Sequence, residues 1–107
     1  MVVGVCRLRL SIPGNDSLKG KRSVVRQILD RVRARFNVSA AEVSDLDALG
    51  TATLGFSVVS NDGAHANAMI DTVSAFVTDN VRAMVTDVHT ELVHVGTMHQ
   101  GGRRRGA

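Results

Sequence analysis

An α+β fold in the order β-α-β-β-α-β is predicted from three observations. Residues 2–12 and 51–59 alternate apolar and polar faces, with weaker strand segments at 38–43 and 84–95, two segments carry apolar residues at three-four spacing, and clusters of Pro, Gly, Asn, Asp and Ser punctuate the chain. The first strand spans Val2 to Ile12, with Gly4, Cys6, Leu8, Leu10 and Ile12 on one face and Val3, Val5, Arg7, Arg9 and Ser11 on the other. Pro13-Gly14-Asn15-Asp16 ends it, and Asp16 or Ser17 caps the helix that follows.

That helix, Ser17 to Phe36, turns Leu18, Val25, Ile28, Leu29, Val32 and Phe36 inward. Asn37 is a candidate C-cap. Val38 to Val43 is a short second strand, and Ser44 to Gly50 is a loop. The third strand, Thr51 to Val59, buries Ala52, Leu54, Phe56 and Val58 and turns Thr51, Thr53, Gly55 and Ser57 outward. Ser60-Asn61-Asp62-Gly63 is a turn and capping signal. The second helix follows, with Ala66, Met69, Ile70, Val73 and Val77 as its stripe, Phe76 beside it and an end near Asn80. Met84 to Val95 is the last strand, with Val88 and Leu92 on one face and Asp87, His89 and Glu91 on the other.

This order is the ferredoxin-like split βαβ pattern. Two halves with right-handed crossovers place both helices on one face of a four-stranded sheet, expected to be mixed. Residues 1–95 form one domain, and residues 96–107 a flexible basic tail with no periodicity. The apolar content of 44% suffices for a small core, built from aliphatic residues because Trp and Tyr are absent. No apolar run reaches the roughly 20 residues of a membrane span, and Arg7 and Arg9 interrupt the start of the chain. The single Cys6 forms no internal disulfide, so a cytoplasmic location is expected, with no membrane partner.

Charge is sorted along the chain. Residues 1–36 carry nine basic and two acidic side chains, residues 37–99 one basic and eight acidic, and the tail adds Arg103, Arg104 and Arg105. Ser17 to Phe36 alone holds seven cations against one acid, Asp30. Such sorting suggests a polyanion partner. Lys19, Lys21, Arg22, Arg26 and Arg33 are the candidate contacts to phosphate, with Arg103 to Arg105 assisting.

Other chemistry is weaker. Gly14 to Arg22 lacks the spacing of a phosphate loop, since five residues separate the glycines and Arg22 follows Lys21. The open face of the sheet presents no ring on which a base could stack. Asp87, His89 and Glu91 point together but lack the His and Cys ligands that metal sites favour, and they are expected beside Arg7 and Arg9 as cross-strand charge pairs. Cys6 faces inward, where it acts as a small hydrophobe. No catalytic residue, cofactor or metal is therefore expected.

Ser17-Leu18-Lys19, Lys21-Arg22, Arg35-Phe36-Asn37-Val38-Ser39 and Ala41-Glu42 resemble the YlxP-like family, a domain of unknown function (503). The resemblance covers roughly residues 1–95. It implies a ferredoxin-like fold and genomic proximity to translation and ribosome-maturation factors, without an agreed activity. Leu49-Gly50-Thr51 stands where the family pattern has a Trp-Gln-Arg-like segment, so an aromatic and a cation are missing from that loop. The resulting expectation is a small non-enzymatic binding protein for RNA or the ribosome. The alternative is a homo-oligomeric interaction module, and an enzyme acting on a phosphorylated substrate has the least support.

Overall fold

A computed structural model describes residues 1–80 and 82–96. The tail cations Arg103 to Arg105 lie outside the described residues. The elements are β1 (Val2–Ser11), α1 (Leu18–Arg35), β2 (Ser39–Ser44), β3 (Thr51–Ser60), α2 (Gly63–Thr78) and β4 (Met84–His94), in the ferredoxin-like order. The sheet order is β2-β3-β1-β4.

The sheet is not mixed. All three hydrogen-bonded pairings, β1 with β3, β1 with β4 and β2 with β3, are antiparallel. Each right-handed crossover makes β1 parallel to β2 and β3 parallel to β4, but a strand from the other half enters each gap. Parallel strands are thus never adjacent.

Both helices cover one face. α1 packs on β2 and α2, and α2 packs on β1, β3 and β4. Alternation places Cys6, Leu8 and Leu10 of β1 and Ala52, Leu54, Phe56 and Val58 of β3 beneath them. Ile28 and Val32 of α1 meet Ile70, Val73 and Val77 of α2 in the same core. Phe36 and Phe76 close one end of the helix layer edge to face, with centroids 5.3 Å apart and an interplanar angle of 79°. α2 also approaches β1 closely: a Cβ on Gly4 would lie 3.1 Å from Val58 Cγ1 and 3.3 Å from Ile70 Cγ1.

The helix starts follow ordinary capping chemistry. Ser17 Oγ accepts from the Gly20 amide at 3.0 Å, and Asp62 Oδ1 accepts from the Ala64 amide at 3.0 Å. α1 ends at Phe36 as the C-cap, one residue before Asn37. Asn15 ties the β1–α1 connection to the β2–β3 loop by donating to the carbonyls of Ser17 and Leu49. Its side chain then lies over Gly20, where a Cβ would collide with Asn15 Oδ1. Glycine in the first turn is explained by that overlay.

Gly20→Ala is therefore expected to destabilise the protein by displacing Asn15. In an Asn15→Ala background the same change should stabilise it, by up to about 1 kcal/mol, because Ala is the better helix former. Urea denaturation of the four proteins measures the difference. Equal effects of Gly20→Ala in both backgrounds would show that Asn15 is not the constraint.

Candidate nucleic-acid interface

α1 turns one side to the core and the other to solvent, so its cations divide by position. Lys19, Arg22 and Arg26 are exposed and follow one another at three- and four-residue spacing. With Ser23, Gln27 and Asp30 they line a shallow groove of about 580 Å³ along the outer side of the helix. Among the described residues no carboxylate forms an ion pair with Lys19, Arg22 or Arg26.

Lys21 does not belong to this ridge. It is 1% exposed, and its ammonium donates to the Asp45 carbonyl and lies 3.0 Å from Glu42 Oε2. Its spacing was the overlooked signal: it stands four residues before Val25 and seven before Ile28, squarely in the inward stripe. The contact with Glu42 is ionic and poorly aligned as a hydrogen bond, since Glu42 Oε2 is buried with no hydrogen-bond partner among the described residues. Arg33 is also partly committed. It donates to the Ala40 carbonyl and lies 3.8 Å from Asp30 Oδ1. Arg35 rests over the rings of Phe36 and Phe76, 5.9 and 5.2 Å from their centroids.

One cation joins the ridge from elsewhere. Arg82, between α2 and β4, donates to Gln27 Oε1 at 2.7 Å. Its own amide is held by Asn80 Oδ1 at 2.8 Å. Fifty-five residues separate Gln27 from Arg82, so only the folded topology brings them together. The sole cation in the acidic stretch of residues 37–99 is thereby added to the basic surface.

The open sheet face is differently organised. The register sets Arg7 opposite His89 and Arg9 opposite Asp87, as the strand patterns predict. The ion pairs differ from that expectation. Arg9 bonds Asp45 Oδ2 at 3.5 Å rather than Asp87, and His89 Nε2 lies 3.2 Å from Glu91 Oε2 on its own strand. Asp45, whose backbone is left-handed with φ of 61°, reaches back over the sheet. Its Oδ2 also accepts from Thr53 Oγ1 at 2.6 Å, which buries Thr53 although its strand position faces outward. Beside this cluster a trough of about 430 Å³ runs over Gly55, between Val43 and Ala41 on one side and Arg7, His89 and Glu91 on the other. Cys6 is buried on the helix side, its sulfur 3.6 Å from Ser74 Oγ. Among the described residues no group of three His, Cys, Asp or Glu side chains could hold a metal ion. None of the described helices is long and apolar enough to cross a membrane.

With the fold and its basic surface defined, the comparisons place the chain in a class. Residues 3–90 match the family described as protein of unknown function (DUF503), and the chain belongs to that family. It is similar to the uncharacterized protein YlxP of Bacillus subtilis (strain 168), at 32% identity over 76 residues, covering 71% of this chain and 83% of that protein. Among solved structures it is similar to a de novo designed protein with a ferredoxin fold, LFR1 1, at a TM-score of 0.57 and 13% identity, covering 98% of this chain and 100% of that one. A structural similarity at that identity speaks to the fold alone.

Lys21 and its exposed neighbours should separate cleanly by stability. Lys21→Ala leaves the buried Glu42 Oε2 unpaired, and is expected to lower unfolding free energy by about 3 kcal/mol. Arg22→Ala and Arg26→Ala should change it by less than about 0.5 kcal/mol. Chemical denaturation followed by circular dichroism checks both values.

Proposed function

We propose that the protein is a non-enzymatic module that binds the phosphate backbone of RNA through the outer side of α1, with ribosomal RNA as the first species to test. The observation that carries this reading is the ridge of Lys19, Arg22, Arg26 and Arg82, whose cations have no carboxylate ion-pair partner among the described residues. A salt-bridged surface would neutralise itself, whereas this one leaves its charge for a ligand. Lys19 to Arg26 extends about 10 Å along the helix, a length suited to successive phosphates. Ser23 and Gln27 add neutral polar groups between the cations, and the one acid on the groove, Asp30, is paired with Arg33. Cations and neutral polar groups of this kind hold phosphate and do not activate a nucleophile, which supports binding rather than catalysis.

The mode differs from base stacking on the sheet. The open face offers Val5, Arg7, Gly55, Ser57 and Val43, and the rings of Phe36 and Phe76 are in the helix layer. Recognition by this surface is accordingly electrostatic and tolerant of sequence.

Binding of single-stranded RNA should weaken with salt, with a log–log slope of about −2 to −3 for three to four neutralised phosphates. Arg22→Glu, Arg26→Glu and Arg82→Glu combined should abolish it while leaving the melting transition intact. Arg33→Gln should have a smaller effect, because that side chain is already engaged by Ala40 and Asp30. Fluorescence anisotropy with a labelled RNA across a salt series makes the measurement. Unchanged affinity in the triple variant, or a slope near zero, overturns the reading.

A further inference from the structure

The two free edges of the sheet are built differently. β2 has six residues, carries a bulge between Glu42 and Ser44, and has its Ala40 carbonyl capped by Arg33. β4 has eleven residues and contains no Pro, Lys or Arg. Its one irregularity, opposite Arg9 and Leu10, falls near its start, and the strand is regular from Asp87 to His94. Val88 and Leu92, on its helix side, are 46% and 39% exposed. Proteins protect edges with bulges, charges, prolines or short length, and β4 has only Asp87, Glu91 and the bulge near its start.

The hydrogen-bond parity of β4 is fixed. Met1 N donates to the Val95 carbonyl at 3.0 Å, and Val95 N donates to the Met1 carbonyl at 2.8 Å. Continuing that pairing along the antiparallel register, Val93, Glu91, His89 and Asp87 also turn their backbone groups to β1. The amides and carbonyls of Val88, Thr90, Leu92 and His94 therefore face the free edge.

We propose that this edge pairs with the same edge of a second copy, antiparallel, about a two-fold axis at Thr90. This register uses the regular part of the strand and matches itself chemically. Thr90 meets the partner's Thr90, and Val88 meets the partner's Leu92, in pairs whose free backbone groups face each other. About six backbone hydrogen bonds result. Between them, Glu91 stands opposite the partner's His89 in the pairs whose side chains approach most closely. The His89–Glu91 contact of one chain becomes a four-residue cluster across the axis. On the helix side, Val88 and Leu92 are covered by their counterparts, next to the start of α2, where a Cβ on Gly63 would lie 3.8 Å from Leu92 Cδ1.

Sedimentation equilibrium of the full chain over a concentration series tests the pairing. The unaltered protein is expected to form dimers. Thr90→Pro removes an amide that makes no bond within the chain, so the monomer should keep its fold, as proline is tolerated at an outward-facing edge position. That variant should be monomeric with unchanged circular dichroism. Val88→Lys, at an exposed position, should also dissociate the dimer and serves if the proline variant fails to fold. A protein that stays monomeric at the highest concentration overturns the proposal. So does a dimer that survives both substitutions, since it would use another surface.

Discussion

The buried ammonium of Lys21 is the interaction on which the arrangement of the basic helix depends. It enters the interior from the first turns of α1, where it meets Glu42 of β2 and the carbonyl of Asp45 in the following loop. A charge taken out of water is tolerated only when paired, so helix, strand and loop must all be in place together. The same Asp45 turns its carboxylate the other way, to Thr53 and Arg9 on the open face. One loop residue in a left-handed conformation thus connects the helix layer to the far side of the sheet. The functional consequence is a division of cations. Lys21, Arg9 and Arg33 are engaged within the fold, whereas Lys19, Arg22, Arg26 and Arg82 form no ion pair among the described residues.

Most of the fold is legible in the sequence because local rules and global topology agree. Two-residue alternation in β1 and β3, three-four spacing in both helices, and the caps at Ser17 and Asp62 each point to the element that forms. The sheet was legible in strand order but not in sense, since reading it as mixed overlooks the strand inserted between each parallel pair. The site was legible only in outline. Lys21 fell in the inward stripe by spacing, but its charge type argued against burial. What decides the matter is a carbonyl 24 residues away, which no local pattern reveals. Arg82 is a lone cation in an acidic region, and its place beside Gln27 follows from how the α2–β4 connection passes α1. Val88 and Leu92 share one face of the last strand by alternation, and that face is the helix side. They remain exposed because β4 is the outer strand and the helix layer does not reach its margin.

The two proposed surfaces are compatible because the α1 cations and the paired stretch of β4 lie over different outer strands. α1, with Lys19, Arg22 and Arg26, packs over β2, whereas β4 is the other outer strand, and Arg82 reaches α1 from the connection before β4, outside the paired stretch Val88 to Leu92. A two-fold axis that joins two β4 edges in one antiparallel sheet runs perpendicular to that sheet. Both helix layers then face the same way, and both basic ridges face one side of the dimer. With strands about 4.8 Å apart, the two α1 helices would stand roughly 30 Å from each other. A ridge of a few cations binds phosphate weakly and loses affinity quickly with salt. Two such ridges fixed on one rigid sheet raise the local concentration of the second contact once the first has formed. Edge pairing would therefore give a small basic surface the strength to hold a long, folded RNA while leaving short single strands weakly bound.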